Sequence, residues 1–188
     1  MTTLASREPG GSPFAEACRT LILDNAVAPQ SALAQALLFS AARADHLDAS
    51  IRPALDAGTW VLCDRFADST RAYQGAADGV DDAAIALLDR LVVAETRPDL
   101  TILLDLDPKI GLTRADRRRT AATPGNFIRA DTFESRKLDF HQRLRAGFLA
   151  IAKAEPARVG VFDAMQNELT LADAIWRFVA GRFALGAP

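Results

Sequence analysis

The sequence predicts an α/β domain built on a mainly parallel sheet, and three observations carry that reading. Short continuous apolar runs recur as Trp60-Val61-Leu62-Cys63, Leu100-Thr101-Ile102-Leu103-Leu104 and Val159-Gly160-Val161-Phe162. Each run stops at an aspartate, Asp64, Asp105 or Asp163, as a buried strand does on reaching a polar sheet end. Segments of helical period separate the runs, which is the arrangement that crossovers between parallel strands require. Such folds collect ligands beyond the carboxyl ends of their strands, so the three aspartates mark the edge where chemistry is expected.

Ser12 before Pro13 reads as an N-cap with proline in the first helical turn, and Phe14, Ala17, Cys18, Leu21 and Ile22 continue that helix to about Asp24. From Ser31 the series Leu33, Leu37, Ala41, Ala44, Leu47, Ile51 keeps the helical period until Pro53 and Gly58 disrupt it. It predicts one long amphipathic helix with that stripe as its core face. Later helices are expected over about 81–94, 108–119, 133–155 and 171–183, with a mobile lid over about 114–131 that includes Thr120-Ala121-Ala122-Thr123-Pro124-Gly125-Asn126. No repeat or linker divides the chain, so residues 1–188 read as a single domain.

Composition removes several classes of function. With 49% hydrophobic and 24% charged residues, the 188-residue chain can build a core and is neither disordered nor collagenous. Its 22 basic and 24 acidic residues leave a net charge of −2, so no global positive field draws nucleic acid or an anionic membrane. Cys18 and Cys63 lie inside apolar runs without metal-ligand spacing and read as core thiols of a reducing compartment. The first eight residues hold no apolar signal core and no run is long enough for a membrane span, so the expected location is cytoplasmic.

Asp64-Arg65 offers a carboxylate for a metal-bound phosphate and a guanidinium for a second phosphate, against the plainer reading of a strand-terminal ion pair or helix cap. Asp68-Ser69-Thr70 and Tyr73-Gln74-Gly75 crowd hydrogen-bonding groups into the turn that follows. Phe39 and Arg43 share a helix face roughly 110–120° from the apolar stripe. An aromatic beside an arginine suits a flat heterocycle; the alternative is ordinary packing with a surface arginine. His46, on the same flank, is read as polar packing alone. Arg114, Arg117, Arg118 and Arg119 could close over a transferring phosphoryl group, or simply solvate a helix end. They are too few for a nucleic-acid stripe in an acidic chain.

Several blocks together resemble a known family. Arg7-Glu8-Pro9-Gly10-Gly11-Ser12-Pro13, Phe39-Ser40-Ala41-Ala42-Arg43, Asp64-Arg65-Phe66-Ala67-Asp68-Ser69-Thr70 and Ala72-Tyr73-Gln74-Gly75 are similar to the signature blocks of bacterial thymidylate kinase. Asp99-Leu100-Thr101-Ile102-Leu103-Leu104-Asp105-Leu106-Asp107-Pro108 and Leu138-Asp139-Phe140-His141 resemble its later blocks. The resemblance implies a P-loop nucleoside monophosphate kinase-like parallel sheet flanked by helices. It also implies transfer of the γ-phosphoryl group of ATP to dTMP, with Mg2+, giving dTDP for dTTP biosynthesis in a cytoplasmic homodimer without nucleic acid or membrane partners.

By motif position, the resemblance implies that Phe39 stacks on thymine, that Arg43 reads its edge, and that Arg65 and Arg19 hold the acceptor phosphate. Glu8, Pro9, Ser69, Thr70, Tyr73 and Gln74 would complete the dTMP site, with Tyr73 excluding a 2′-hydroxyl. Asp64 would bind the metal and, with Arg65, Arg114 and Arg118, form the catalytic set; Arg114, Arg118 and Gln166 would serve ATP.

The chain departs from the family at two points. The family opens with a strand, a G-x-x-x-x-G-K-[ST] Walker A loop and a helix, and here the only lysines, Lys109, Lys137 and Lys153, follow no glycine. That first strand is expected in the sheet centre, between the strands ending at Asp64 and Asp105, so the reading includes an N-terminal truncation of about 30–40 residues from a start set too late. In the lid, Thr132 stands where the family often has arginine, with Arg129 or the arginines from Arg114 onward as substitutes. Two alternatives accompany the kinase reading: a non-catalytic dTMP-binding relic, and a kinase of another nucleoside monophosphate.

Overall fold

Each of the three apolar runs becomes a strand that takes its aspartate as the last residue: β2 (Trp60–Asp64), β3 (Thr101–Asp105) and β4 (Val159–Asp163). A strand that periodicity did not predict, β1 (Thr3–Arg7), precedes them. Apart from Leu4 and Ala5 its residues are polar; it is a strand because its backbone pairs with β2 in parallel, from Thr3 opposite Trp60 to Arg7 opposite Asp64. The computed structural model describes residues 1–24, 31–121, 133 and 135–186. The proposed substitutes and losses at Arg129 and Thr132, and most of the expected lid, lie outside the described residues.

The helices are α1 (Pro13–Leu23), α2 (Ala32–His46), α3 (Arg52–Asp56), α4 (Ala67–Thr70), α5 (Asp82–Val92), α6 (Pro108–Ala121), α7 (Leu138–Ala154) and α8 (Glu168–Phe183). Caps set the starts: the side chains of Ser12, Ser31, Asp81 and Asn167 accept from Ala15, Ala34, Ala83 and Thr170 backbone N–H groups. Three boundaries differ from the sequence expectation. α7 begins at Leu138 because Lys137 is extended, α8 begins earlier at Glu168, and the presumed turn after Arg65 is helical, α4 running on as a π-helix over Arg71–Ala77.

The predicted long helix is α2, a π-helical turn over Leu47–Ile51, and α3. Its inward face is not the one predicted. Leu33 and Leu37 are 47% and 50% exposed, whereas Gln35, Ala36, Ser40, Arg43 and His46 are buried, joined by Leu47 and Ile51 of the expected stripe. The buried face lies roughly a quarter turn away because polar groups at the end of β1 hold it by hydrogen bonds.

The sheet also differs from a single continuous one. β1 pairs with β2 and β3 with β4, both in parallel, but the two ladders do not join, so β2 and β3 each keep an unpaired edge among the described residues. Leu62, Leu104 and Val161 on these strands are 58%, 51% and 47% exposed. Two other connections bind the halves. α8 sets Phe178 against Phe162 of β4 and Phe183 edge-on to Trp60 of β2, with ring centroids 5.5 and 4.8 Å apart. Arg158, just before β4, donates to both oxygens of Asp68 at 2.8 and 3.0 Å and to Glu155 at 2.7 Å, while Arg71 bridges Asp68 and Glu155. Burial works against the Arg158 charge, but these hydrogen bonds more than offset it and hold its pKa above the ordinary value.

The core lies among α1, α2, the π-helical segment and α7, centred on Phe140, Leu144 and Ile151 with small residues such as Ala15, Ala42 and Ala72. α7 approaches the π-helical segment so closely that a Cβ on Gly147 would stand 2.6 Å from the Ala76 Cβ. Cys18 is buried as expected; Cys63 is only half buried, and its thiol donates to the Arg65 carbonyl. No described helix is long and apolar enough to cross a membrane.

Candidate functional site

β2 ends on Asp64, and the next residue turns the chain with φ +66° at Arg65 before α4 begins at Ala67. A left-handed conformation costs a non-glycine residue about 1–2 kcal/mol, so the surrounding fold must enforce it. Its consequence is that Asp64 and Arg65 are both exposed at the strand end, with the Arg65 guanidinium 5.2 Å from the centroid of the Tyr73 ring.

Alongside, β1 runs into a cis Glu8-Pro9 peptide and two glycines with positive φ, and the Glu8 backbone N–H continues the ladder by donating to the Asp64 carbonyl at 2.9 Å. Glu8 is 6% exposed, and its carboxylate accepts from Arg43 Nε at 2.8 Å. Arg43, 4% exposed, also donates through Nη2 to Thr70 Oγ1 at 3.2 Å and lies 5.2 Å from the Phe66 ring centroid. A charge pair this deep is tolerable only because its hydrogen-bonding groups are engaged. Arg19 donates to the Pro9 carbonyl at 2.8 Å, and Gln74 reaches the buried Gln35 at 3.4 Å. Phe133 stands between Phe39 and Tyr73, with ring centroids 6.2 and 5.3 Å away.

Among the expected dTMP residues, Glu8, Arg43 and Thr70 are joined by hydrogen bonds, Arg19 bonds the Pro9 carbonyl, Arg65 lies over Tyr73, Gln74 meets Gln35, Phe39 and Tyr73 both face Phe133, and Ser69 stands on the same short helix as Thr70. The alternative of a surface arginine at position 43 fails, because Arg43 is among the buried residues. Arg114 and Arg118 are not joined to this group. Arg114 donates to the Ala164 carbonyl at 3.0 Å, beside exposed Gln166 in the turn after β4, and no hydrogen bond or ion pair links Arg114 or Arg118 to Asp64 or Arg65 among the described residues. Their helix follows β3, on the other ladder.

The strand-end aspartates have different surroundings. Asp105 accepts two hydrogen bonds from Arg145, at 2.7 and 2.8 Å, which hold its carboxyl below the usual carboxylate range. Asp163 caps the following turn by accepting from the Met165 N–H. Asp64 has no side-chain partner among the described residues, so it fits the part of a carboxylate ligand to a hard cation. Burial and nearby Glu8 push the Cys63 thiol up to about 12, so it stays protonated and unreactive at neutral pH.

Sequence reasoning gave no role to His46, Ser6, Gln35 or Phe133. His46 is fully buried and hydrogen-bonds to Ser6 and Glu8. The available signal was the spacing of Arg43 and His46, three residues apart on one helix face.

These motifs have counterparts among known proteins. The family profile for thymidylate kinase matches residues 1–175. The chain is 47% identical over 182 residues to a thymidylate kinase of Bradyrhizobium diazoefficiens, covering 97% of this chain and 77% of that one. It is 50% identical over 161 residues to one of Caulobacter vibrioides, covering 86% and 73%. In three dimensions it superposes on the crystal structure of thymidylate kinase from Ehrlichia chaffeensis with a TM-score of 0.70 and 30% identity, over 95% of this chain and 80% of that one. With the family profile matched over residues 1–175 and relatives this similar over most of its length, the chain belongs to the thymidylate kinase family.

Proposed function

We propose that this domain phosphorylates dTMP to dTDP with ATP as the donor, in the cytoplasm. The buried Glu8–Arg43–Thr70 arrangement carries the reading, because it fixes a planar cation one helical turn from Phe39, whose ring meets that of Phe133. A pyrimidine with keto acceptors matches such a donor, since arginine has only N–H groups to offer. Phe39 supplies the stacking face, Tyr73 borders the sugar, and Arg65 and Arg19 bind the acceptor phosphate. On the far ladder, Arg114 and Gln166 flank the adenine, while Arg114 and Arg118 neutralise charge on the phosphates of ATP.

In the transfer itself, an oxygen of the dTMP phosphate bonds to the γ-phosphorus as the bond to the leaving ADP oxygen breaks. Catalysis of this step is chiefly positioning and charge stabilisation. Arg65 fixes the acceptor oxygen and the lid arginines meet the developing charge. Asp64 would hold Mg2+, which when bound shields the negative charge of the donor phosphates.

The residues present fit the acceptor site and the metal, but the sequence holds no glycine-rich lysine loop to cradle the donor phosphates. We therefore propose that transfer requires a further strand–loop–helix unit between β2 and β3, a reading supported by their two unpaired edges and by exposed Leu62 and Leu104. A homodimer is part of the proposal, supported by the half-exposed Leu33 and Leu37 on α2.

Two measurements test this. Thermal melting of the 188-residue chain with dTMP, dUMP, dCMP or dGMP should give its largest stabilisation with dTMP; a folded chain that ignores dTMP overturns the base site. Chromatographic assay of dTDP should detect product only with the added unit, and equal turnover without it would overturn that requirement.

A further inference from the structure

We propose that His46 is a positioning residue for recognition of the base, acting through Glu8 to hold the Arg43 guanidinium; the inference rests on the dTMP reading above. His46 is 0% exposed on the inward face of α2, and both of its ring nitrogens are engaged. Nδ1 lies 3.3 Å from Glu8 Oε1, and Nε2 lies 2.7 Å from Ser6 Oγ.

The chemistry of the partners assigns the proton. Glu8, ion-paired with Arg43, is a carboxylate and can only accept, so Nδ1 must carry hydrogen. In the neutral ring Nε2 is then an acceptor, and the Ser6 hydroxyl donates to it. Glu8 is thereby held at both oxygens, Oε1 by His46 and Oε2 by Arg43 Nε. A carboxylate with one oxygen free could swing about its terminal bond and carry the arginine with it; held at both, it cannot.

Arg43 in turn gives Nε to Glu8 and Nη2 to Thr70, and no described residue accepts from Nη1, which remains for a ligand. The ring of His46 is itself confined. A Cβ on Gly11 would collide with it, and the Gly11 carbonyl is held by Ser50 Oγ at 2.8 Å. His46 therefore connects β1, the loop after it and α2 to the orientation of a single guanidinium. A rigid guanidinium favours a keto oxygen at the pyrimidine edge over an amino group, whereas a loosened one discriminates less.

The test is calorimetric binding of dTMP and dCMP to the 188-residue chain and to His46→Asn, His46→Gln and His46→Leu, with thermal melting of each. Asparagine can replace the Nδ1 donor, glutamine reproduces chiefly the Nε2 position, and leucine replaces neither. His46→Leu and His46→Gln should lose at least about tenfold in dTMP affinity and narrow the dTMP-to-dCMP ratio, as expected for one charge-assisted hydrogen bond. His46→Asn should restore the ratio.

An unchanged ratio in the leucine and glutamine variants overturns the proposal, as does an asparagine variant no better than glutamine. If leucine prevents folding, the asparagine and glutamine pair decides. Ligating atoms of Glu8, His46 and Cys63 lie within 4.8 Å of one another, so one equivalent of zinc in the purified chain, lost in the glutamine variant, would make this a metal site and overturn the positioning role. Failure of the unaltered chain to bind dTMP overturns the nucleotide reading and this proposal with it; binding with unaffected variants overturns this proposal alone.

Discussion

The ladder of β1 and β2 and the ladder of β3 and β4 treat charge in opposite ways. At the end of the first, Glu8 and Arg43 are 6% and 4% exposed and interlocked with His46 and Thr70. At the end of the second, Asp105 and Arg145 keep 23% and 38% of their side-chain surface in solvent, and Arg114 and Arg118 are exposed. On the function proposed above, the difference separates two tasks. A base must be selected by groups whose directions are settled before it arrives, and burial supplies that at a high cost in desolvation. A phosphoryl group in transit is met by long cations that keep their freedom until a ligand organises them.

The contrast can be broken most directly at Arg43. Arg43→Ala leaves the Glu8 carboxylate buried without its main partner and should cost about 3–5 kcal/mol in a urea denaturation experiment; a loss under about 1 kcal/mol would mean that this ladder is no more committed than the other. Arg158→Met probes the clamp between the two halves, where Arg158 is 18% exposed and Asp68 15%. Loss of its charged hydrogen bonds should lower stability by about 1.5–3 kcal/mol and loosen the two ladders relative to each other, read by hydrogen exchange at β2 and β3.

Acid sharpens the comparison next. Burial raises the Glu155 pKa, but hydrogen bonds from Arg158 and Arg71 outweigh it and leave the carboxyl below its ordinary 4.5; Asp105, held by Arg145, sits below its ordinary 3.8. A depressed folded-state pKa contributes stability that is complete above the unfolded value and lost as pH falls through the folded one. Melting temperature should therefore fall as pH is lowered past those ordinary values, and less steeply in Arg158→Met. The smallest effect on stability is expected at Arg118, where Arg118→Ala should change unfolding free energy by less than about 0.5 kcal/mol while slowing phosphoryl transfer measured with the proposed strand–loop–helix unit added. A marked destabilisation there would show that the exposed half is also structurally committed.

Legibility in the sequence followed the range of the interaction. β2, β3 and β4 were readable because a continuous apolar run closing on an aspartate is a local pattern. β1 was not, since Thr3–Arg7 is a strand by virtue of partners nearly sixty residues on, Thr3 opposite Trp60 and Arg7 opposite Asp64. Within the site, the chemical identities of Phe39, Arg43, Asp64, Arg65 and Tyr73 stood out in order and spacing, whereas the contact of Arg65 with Tyr73 and the part played by His46 did not.

The sequence by itself determined three of the four strands, the Ser12 cap that starts α1, and the family, because each depends on neighbours within a few turns or on a motif. Only the tertiary structure decided which face of α2 turns inward. The leucine stripe favours one face by area, but Glu8 and Ser6, brought there by β1, hold the face of Arg43 and His46. Buried polar groups must find partners, and those partners are set by strand pairing across the fold rather than by the order of residues along the helix.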